Sequence, residues 1–246
     1  MNSPLHAGRS FPGNRLKKES RRNCAHSRLD PRLAEQQKRL MLTIIEIGAI
    51  IAFAVSGLIE AARRRMDIVG VFTVAFVTAF GGGTLRDVLL DRRPLFWVQH
   101  QEYVWLVLAL TLIGSPLLGL MRHRWADRVM NVTDALGLGL FAVSGAALAM
   151  AAQMPLIVVV MMGVVTGVFG GVLRDVLCNE IPVVFQDHRP YALCAFVGCW
   201  VFIGVDALGA EPWLTLLAGA GTTTGLRLLA LSLDWRIPPW PRKMGG

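Results

Sequence analysis

From Met41 onward the chain is a succession of apolar stretches, each close to the ~20 residues an α-helix needs to cross a bilayer. No other feature limits its fold as much. Seven stretches lie near 41–60, 67–90, 102–121, 131–151, 154–178, 190–208 and 212–233. Turn and charge signals separate most of them, among them Arg63-Arg64-Arg65, Asp91-Arg92-Arg93-Pro94, Arg122-His123-Arg124, Gln153-Met154-Pro155 and Glu211-Pro212. A bilayer admits only helices and closed barrels, because backbone polar groups there must be satisfied within the protein. Barrel strands are short and alternate in polarity, whereas these runs are continuous. The expected fold class is all-α integral membrane, with seven transmembrane helices. Composition agrees: 54% of the 246 residues are hydrophobic and 17% are charged, against about a quarter charged in soluble domains.

The net charge of +8 is concentrated in one segment. Residues 1–40 hold ten Lys/Arg and three Asp/Glu, and residues 41–246 hold fifteen and fourteen. A nucleic-acid partner would require a basic face on the folded body, and none is present. Positive charge in short loops sets orientation. Arg63, Arg64, Arg65, Arg122, Arg124, Arg128, Arg189, Arg236, Arg242 and Lys243 fall on one side of a seven-span chain; the other loops hold Arg92 and Arg93. The C-terminus is expected in the cytoplasm and the N-terminus outside. The basic tail 1–40 runs against that order. Either it is a disordered arm lying on anionic lipid, or the true start is Met41; the charge conflict favours the second. The four cysteines, Cys24, Cys178, Cys194 and Cys199, show no zinc or redox spacing and read as reduced thiols.

The chain is also duplicated. A shift of 88 residues lays Phe53-Ala54-Val55-Ser56-Gly57 on Phe141-Ala142-Val143-Ser144-Gly145, and Leu85-Arg86-Asp87-Val88-Leu89 on Leu173-Arg174-Asp175-Val176-Leu177. Segments 53–96 and 141–184 share 18 identities in 44 positions without a gap. Apolar segments that resemble each other by chance would not keep Arg-Asp and Pro94/Pro182 in register. Each unit contains three spans, an odd number, so consecutive units enter the membrane from opposite sides. Two inverted three-helix repeats plus a seventh helix follow. The expected organisation is a tail over 1–40, repeats over 41–128 and 129–208, a seventh helix over 209–235 and a cytoplasmic tail over 236–246.

The repeated motif carries the candidate chemistry. Gly81, Gly82 and Gly83 lie inside the second span, and Gly170 and Gly171 inside the fifth. Glycine costs about 1 kcal/mol against alanine in a helix interior, so it needs a reason. Close backbone packing is one. A kink or break that frees carbonyls beside a pathway is the other, and repetition in two corresponding spans favours it. Arg86, Asp87, Arg174 and Asp175 follow the glycines. They read either as a charged gate or ion-pair latch, or as arginines that snorkel to headgroups. Glu46 and Asp134 open the first span of each repeat, where stabilisation by the helix dipole is the plainer reading and cation attraction the sharper one. Ser56 and Ser144 serve helix packing or line a polar pathway. Arg227, in the last span, reads as snorkelling. No catalytic, metal-binding or cofactor motif is present, so neither enzyme activity nor a cofactor is expected.

The doubled Gly-Gly-x-x-Arg-Asp-x-Leu, the Phe-x-x-Ser-Gly element and the seven spans together resemble the prokaryotic trimeric intracellular cation (TRIC) channel family, also known as UPF0126 or glycine-transporter-domain inner-membrane proteins. The resemblance covers about residues 41–233. It implies a homotrimer in the bacterial inner membrane, one hydrophilic pore inside each subunit, kinked second and fifth spans, potassium as the permeant ion and membrane lipid as the surrounding partner. A secondary transporter of glycine or another small solute, and a membrane scaffold without transport, are the competing readings.

Overall fold

The computed structural model describes residues 31–119, 123–186 and 190–236. It divides into two units, Met1–Leu40 and Met41–Gly246, and the second contains the packed helices. The readings offered for residues 1–30 and for the tail beyond Arg236 fall outside the described residues.

Among the described residues every regular element is a helix. These are α1 (Pro31–Arg63), α2 (Ile68–Leu89), α3 (Phe96–Gln99), α4 (Gln101–Gly119), α5 (His123–Ala151), α6 (Leu156–Leu177), α7 (Val183–Gln186), α8 (Ala192–Ala207) and α9 (Pro212–Ser232). Five are long and apolar enough to cross a membrane, over Arg39–Arg63, Ile68–Leu89, Trp125–Ala151, Leu156–Leu177 and Pro212–Ser232. α8 is apolar but shorter, at 16 residues.

Several helix boundaries differ from those the sequence suggests. α1 begins at Pro31, ten residues before the apolar run, and α5 begins at His123, eight before its own. Hydropathy marks where a helix meets lipid, not where its hydrogen bonds begin. Pro31 suits a first helical position because its missing N–H would be unpaired there anyway. The residues after it, Leu-Ala-Glu-Gln-Gln-Lys-Arg-Leu from Leu33 preceded by Arg32, are good helix formers. The short helices α3 and α7, expected as loop, follow α2 and α6 at matching places.

α2 starts on Asp67, whose carboxylate accepts the Gly70 N–H at 2.7 Å. Its close, like that of α6, is followed by a residue in the left-handed region: Asp91 has φ 50° and Asn179 has φ 57°. Arg65 and Gln153, which follow α1 and α5, share the same conformation. Each pair stands 88 positions apart.

Two apolar clusters form the interior. One gathers Ile50, Phe53, Leu58, Val74, Phe80 and Val107; the other gathers Leu138, Val143, Val159, Val160, Phe202 and Leu216. The Phe53 and Phe141 rings meet at 5.5 Å within the first cluster, and Leu140 packs against both clusters. Large apolar side chains also cover the outside, including Trp105 and Ile113 of α4, Leu156, Ile157 and Met161 of α6, and Leu217 of α9. Water would oppose so much exposed apolar surface, whereas lipid accepts it.

Candidate functional site

α2 and α6 cross at their glycines. A Cβ on Gly82 would lie 2.1 Å from Thr166 O, and one on Gly170 would lie 2.5 Å from Thr78 O. No side chain fits between carbonyl and backbone at those distances, so only glycine lets the helices meet there. Gly81 admits Leu173 Cδ1, at 2.5 Å from its would-be Cβ, and Gly83 admits the Phe96 ring, at 2.4 Å. Both helices remain helical through the glycines. The break considered above, with freed carbonyls, is therefore not seen; the close packing is. The threonines beside the crossing turn their hydroxyls back onto their own helices, Thr78 to Val74 O and Thr166 to Met162 O, both at 2.6 Å.

One turn beyond the crossing each helix buries an arginine. Arg86 has no exposed surface and Arg174 has 2%, so neither guanidinium reaches towards headgroups as a snorkelling side chain would. Arg86 Nε donates to Asp87 Oδ1 at 2.9 Å, and its Nη1 donates to Glu46 Oε1 at 2.7 Å and to Ser144 Oγ at 2.9 Å. Ser144 itself donates to Glu46 Oε1 at 3.2 Å. Arg174 repeats the set: Nε to Asp175 Oδ1 at 2.9 Å, Nη1 to Asp134 Oδ1 at 2.6 Å, and Nη1 to Ser56 Oγ. Each arginine thus takes its acid from its own half of the chain and its serine from the other half.

The second oxygen of each aspartate reaches the following segment. Asp87 Oδ2 accepts the Phe96 N–H at 2.8 Å, and Asp175 Oδ2 accepts the Val183 N–H at 3.0 Å. These bonds seat α3 and α7 against the ends of α2 and α6. Burying an isolated ion costs several kcal/mol. Here each guanidinium faces two carboxylates and a hydroxyl, so burial and pairing go together.

These positions correct the dipole reading of Glu46 and Asp134. Neither opens a helix: Glu46 lies well inside α1 and Asp134 inside α5. They are the counter-ions of Arg86 and Arg174, forty residues downstream in both cases. Arg227 is corrected too. It is buried, with its guanidinium 4.7 Å from the centroid of the Tyr191 ring, so it does not snorkel.

Other neighbours of the site do not stand out in the sequence. Tyr191 is buried and its hydroxyl lies 3.0 Å from a Cβ built on Gly171. Its counterpart, Tyr103, is buried in the other half. The chain has only two tyrosines, and they stand 88 apart, a signal open to sequence reading. Phe96 packs its ring 5.2 Å from the Arg86 guanidinium. Among the described residues, no group of three or more His, Cys, Asp or Glu is arranged to hold a metal ion.

Comparison with known proteins finds relatives over most of the chain. The family model described as "Glycine transporter" matches twice, over residues 43–117 and 131–207. A UPF0126 membrane protein of Vibrio cholerae is 36% identical over 198 residues, covering 80% of this chain and 82% of the relative. The UPF0126 inner membrane protein YadS of Escherichia coli K12 is 34% identical over 197 residues, covering 79% and 93%. Among solved structures, the TRIC trimeric intracellular cation channel orthologue from Rhodobacter sphaeroides is 35% identical with a TM-score of 0.73, covering 79% of this chain and 98% of that one. With inner-membrane relatives and five helices apolar enough to span, the chain is a multi-pass membrane protein. Two matched copies of the family domain, and relatives aligned over most of their length, identify the chain as a member of the TRIC/UPF0126 membrane-protein family.

Proposed function

We propose that this protein is a potassium-permeable monovalent cation channel of the bacterial inner membrane, acting as a homotrimer with one pathway inside each subunit. The observation that carries the reading is a polar interior within an apolar exterior. Arg86 and Arg174, with Glu46, Asp87, Asp134, Asp175, Ser56 and Ser144, lie between the two halves of a single subunit. Ionisable residues inside a membrane are expensive and usually mark ion or substrate paths. Each buried arginine faces two carboxylates, with the exposed Arg92 also 3.9 Å from Asp87, so carboxylates outnumber the guanidiniums buried with them, which suits a cation. The 35% identical TRIC cation channel orthologue of Rhodobacter sphaeroides supports the same class.

Seven spans, arranged as two inverted three-helix repeats plus α9, belong to this reading. Matched bonds, caps and crossing glycines 88 positions apart support the repeat. A cytoplasmic C-terminus and an outside N-terminus also belong to it. Ion pairs that join Arg63 to Asp127 and Arg64 to Glu180 support one shared side for three of the basic loops. In this arrangement the two Arg-Asp clusters are the gates, and Gly82 and Gly170 fix the crossing between them.

The family model's description favours one alternative, a secondary transporter of glycine. Planar-bilayer recording separates the two. Purified protein is expected to give unitary potassium currents larger than any carrier turnover. Saturable glycine uptake into liposomes, without unitary currents, would replace the channel with the carrier. Absence of both would leave a scaffold.

A further inference from the structure

A network of ion pairs closes one end of the molecule, where α1 and α6 finish. Arg64 Nη2 bonds Glu180, in the segment between α6 and α7, and Arg64 Nε lies 3.3 Å from Glu60 Oε1. Arg63 pairs with Asp127 of α5 and with Glu60 Oε2 at 3.4 Å. Cys178, the residue that closes α6, is buried to 3% exposure two residues before Glu180.

The same segment leads directly to the Arg174 cluster. The Glu180 N–H donates to Asp175 O at 2.9 Å, and the Val183 N–H donates to Asp175 Oδ2. Asp175 holds Arg174, which reaches Ser56 on α1, two turns before Arg64. α1 is therefore fastened to the end of α6 twice, once inside through Ser56 and once at the surface through Arg64. Among the described residues the other half shows only the inner fastening. Shifted by 88, Glu60, Arg63 and Arg64 become Leu148, Ala151 and Ala152, and Glu180 becomes Arg92. Arg92 lies 3.9 Å from Asp87 of its own half.

We propose that the Arg64–Glu180 pair is a surface latch that holds the segment between α6 and α7 down over Cys178 and the Arg174 cluster, at one mouth of the molecule only. Both side chains are more than a third exposed, so dissolved salt screens the pair. The latch is therefore released by ionic strength on its own face. Its effect on ion flow rests on the channel reading; its hold on Cys178 does not.

Cys178 supplies the readout. Cys178 is 3% exposed, so a reagent reaches it only when the segment lifts, and the thiolate is the reactive form. In the latched state it alkylates slowly at neutral pH. The test is the rate of N-ethylmaleimide modification of the full-length protein, with the site located by peptide mass mapping. An exposed ion pair of this kind corresponds to about a 1.4- to 5-fold change in the latch equilibrium. Arg64→Gln and Glu180→Gln are each expected to speed Cys178 labelling by that factor. The double variant is expected to be no faster than the faster single variant. Arg64→Lys keeps the cation and should stay slow, as should Arg236→Gln, which breaks another exposed pair. Added salt should speed the wild type but not the double variant.

Equal Cys178 rates in the wild type, Arg64→Gln and Glu180→Gln would overturn the latch. So would acceleration accompanied by labelling of buried Cys194 and Cys199, which would signal unfolding. In bilayers the two neutralised variants should raise open probability by a similar factor. A wild type without unitary current but with the labelling pattern intact would refute the channel reading and leave the latch standing. Unitary current with unchanged labelling would do the reverse.

Discussion

The Arg86 and Arg174 clusters share one bonding scheme but are enclosed by different neighbours. Around Arg86 the enclosure is aromatic. Phe96 stands 5.2 Å from the guanidinium and 5.8 Å from Phe80, and Trp97 meets Phe76 at 5.7 Å. Trp97 also donates to Thr84 Oγ1 at 3.1 Å. In the second half these aromatic positions become Val164, Val168, Val184 and Phe185, and the adjoining segment is held by Arg64 and Glu180 instead. The difference shows which features tolerate divergence. The polar atoms that neutralise a buried guanidinium are kept, because losing one leaves an uncompensated charge. The packing around them is not constrained in this way, and one half uses aromatic surface where the other uses charge.

The largest expected effect comes from removing either arginine. Arg86→Met leaves buried Asp87 and half-buried Glu46 without their shared cation, and Arg174→Met leaves buried Asp134 and Asp175 likewise. Breaking one side of a buried pair costs about 3–5 kcal/mol. Both variants should lose folded, monodisperse protein at much lower temperature than the wild type in a detergent melting assay. A mild effect at one arginine and a severe one at the other would break the equivalence of the clusters.

Next come the crossing glycines. Overpacking costs about 1–3 kcal/mol, and Gly82→Ala and Gly170→Ala set a methyl against a backbone carbonyl that cannot turn aside. Gly171→Ala meets the end of Tyr191 at 3.0 Å and Asp134 Oδ1 at an ordinary 3.7 Å, and should melt closer to the wild type than either. The same melting series decides the order.

Serine exchange should have an effect of comparable size. Hydrogen bonds to charged groups are worth about 1.5–3 kcal/mol, so Ser56→Ala and Ser144→Ala should each destabilise within that range. Because the serines serve opposite halves, their effects should add in a double variant. Strong non-additivity would mean that the two clusters act as one unit. Smallest is Phe96→Leu, which removes a cation–π contact worth about 0.5–2 kcal/mol. Its effect should not depend on salt, whereas release of the Arg64–Glu180 pair should.

Much of this design is legible in the sequence. The apolar runs stand out because span length is fixed by the bilayer, and five of them are helices long and apolar enough to span. The duplication stands out because charged residues and glycines keep their register. The partnership of Glu46 with Arg86 is readable as well, since the same separation of forty recurs between Asp134 and Arg174. It is obscured when the helix is taken to start where the apolar run starts, which makes both acids look like caps. The exchange of Ser56 and Ser144 between halves is not readable, because it depends on how α2 and α6 cross, and local pattern does not encode a crossing. The glycines show the same limit. Their presence signals something special in the helix, but only the nearness of Thr166 O to Gly82 and of Thr78 O to Gly170 shows that it is close approach. The aromatic enclosure of Arg86 is hidden for a similar reason, since Phe96 belongs to a segment that reads as loop.

The central claim is that ions pass by both clusters within one subunit. Single-channel conductance at low potassium chloride tests it most directly, in folded Glu46→Gln and Asp134→Asn proteins beside the wild type. Each substitution keeps a hydrogen-bond acceptor for its arginine and removes one negative charge from its cluster. The account predicts smaller unitary potassium currents in both variants, with the difference shrinking as salt rises and screens the charge. Currents identical to the wild type in both variants would place the pathway elsewhere and contradict it.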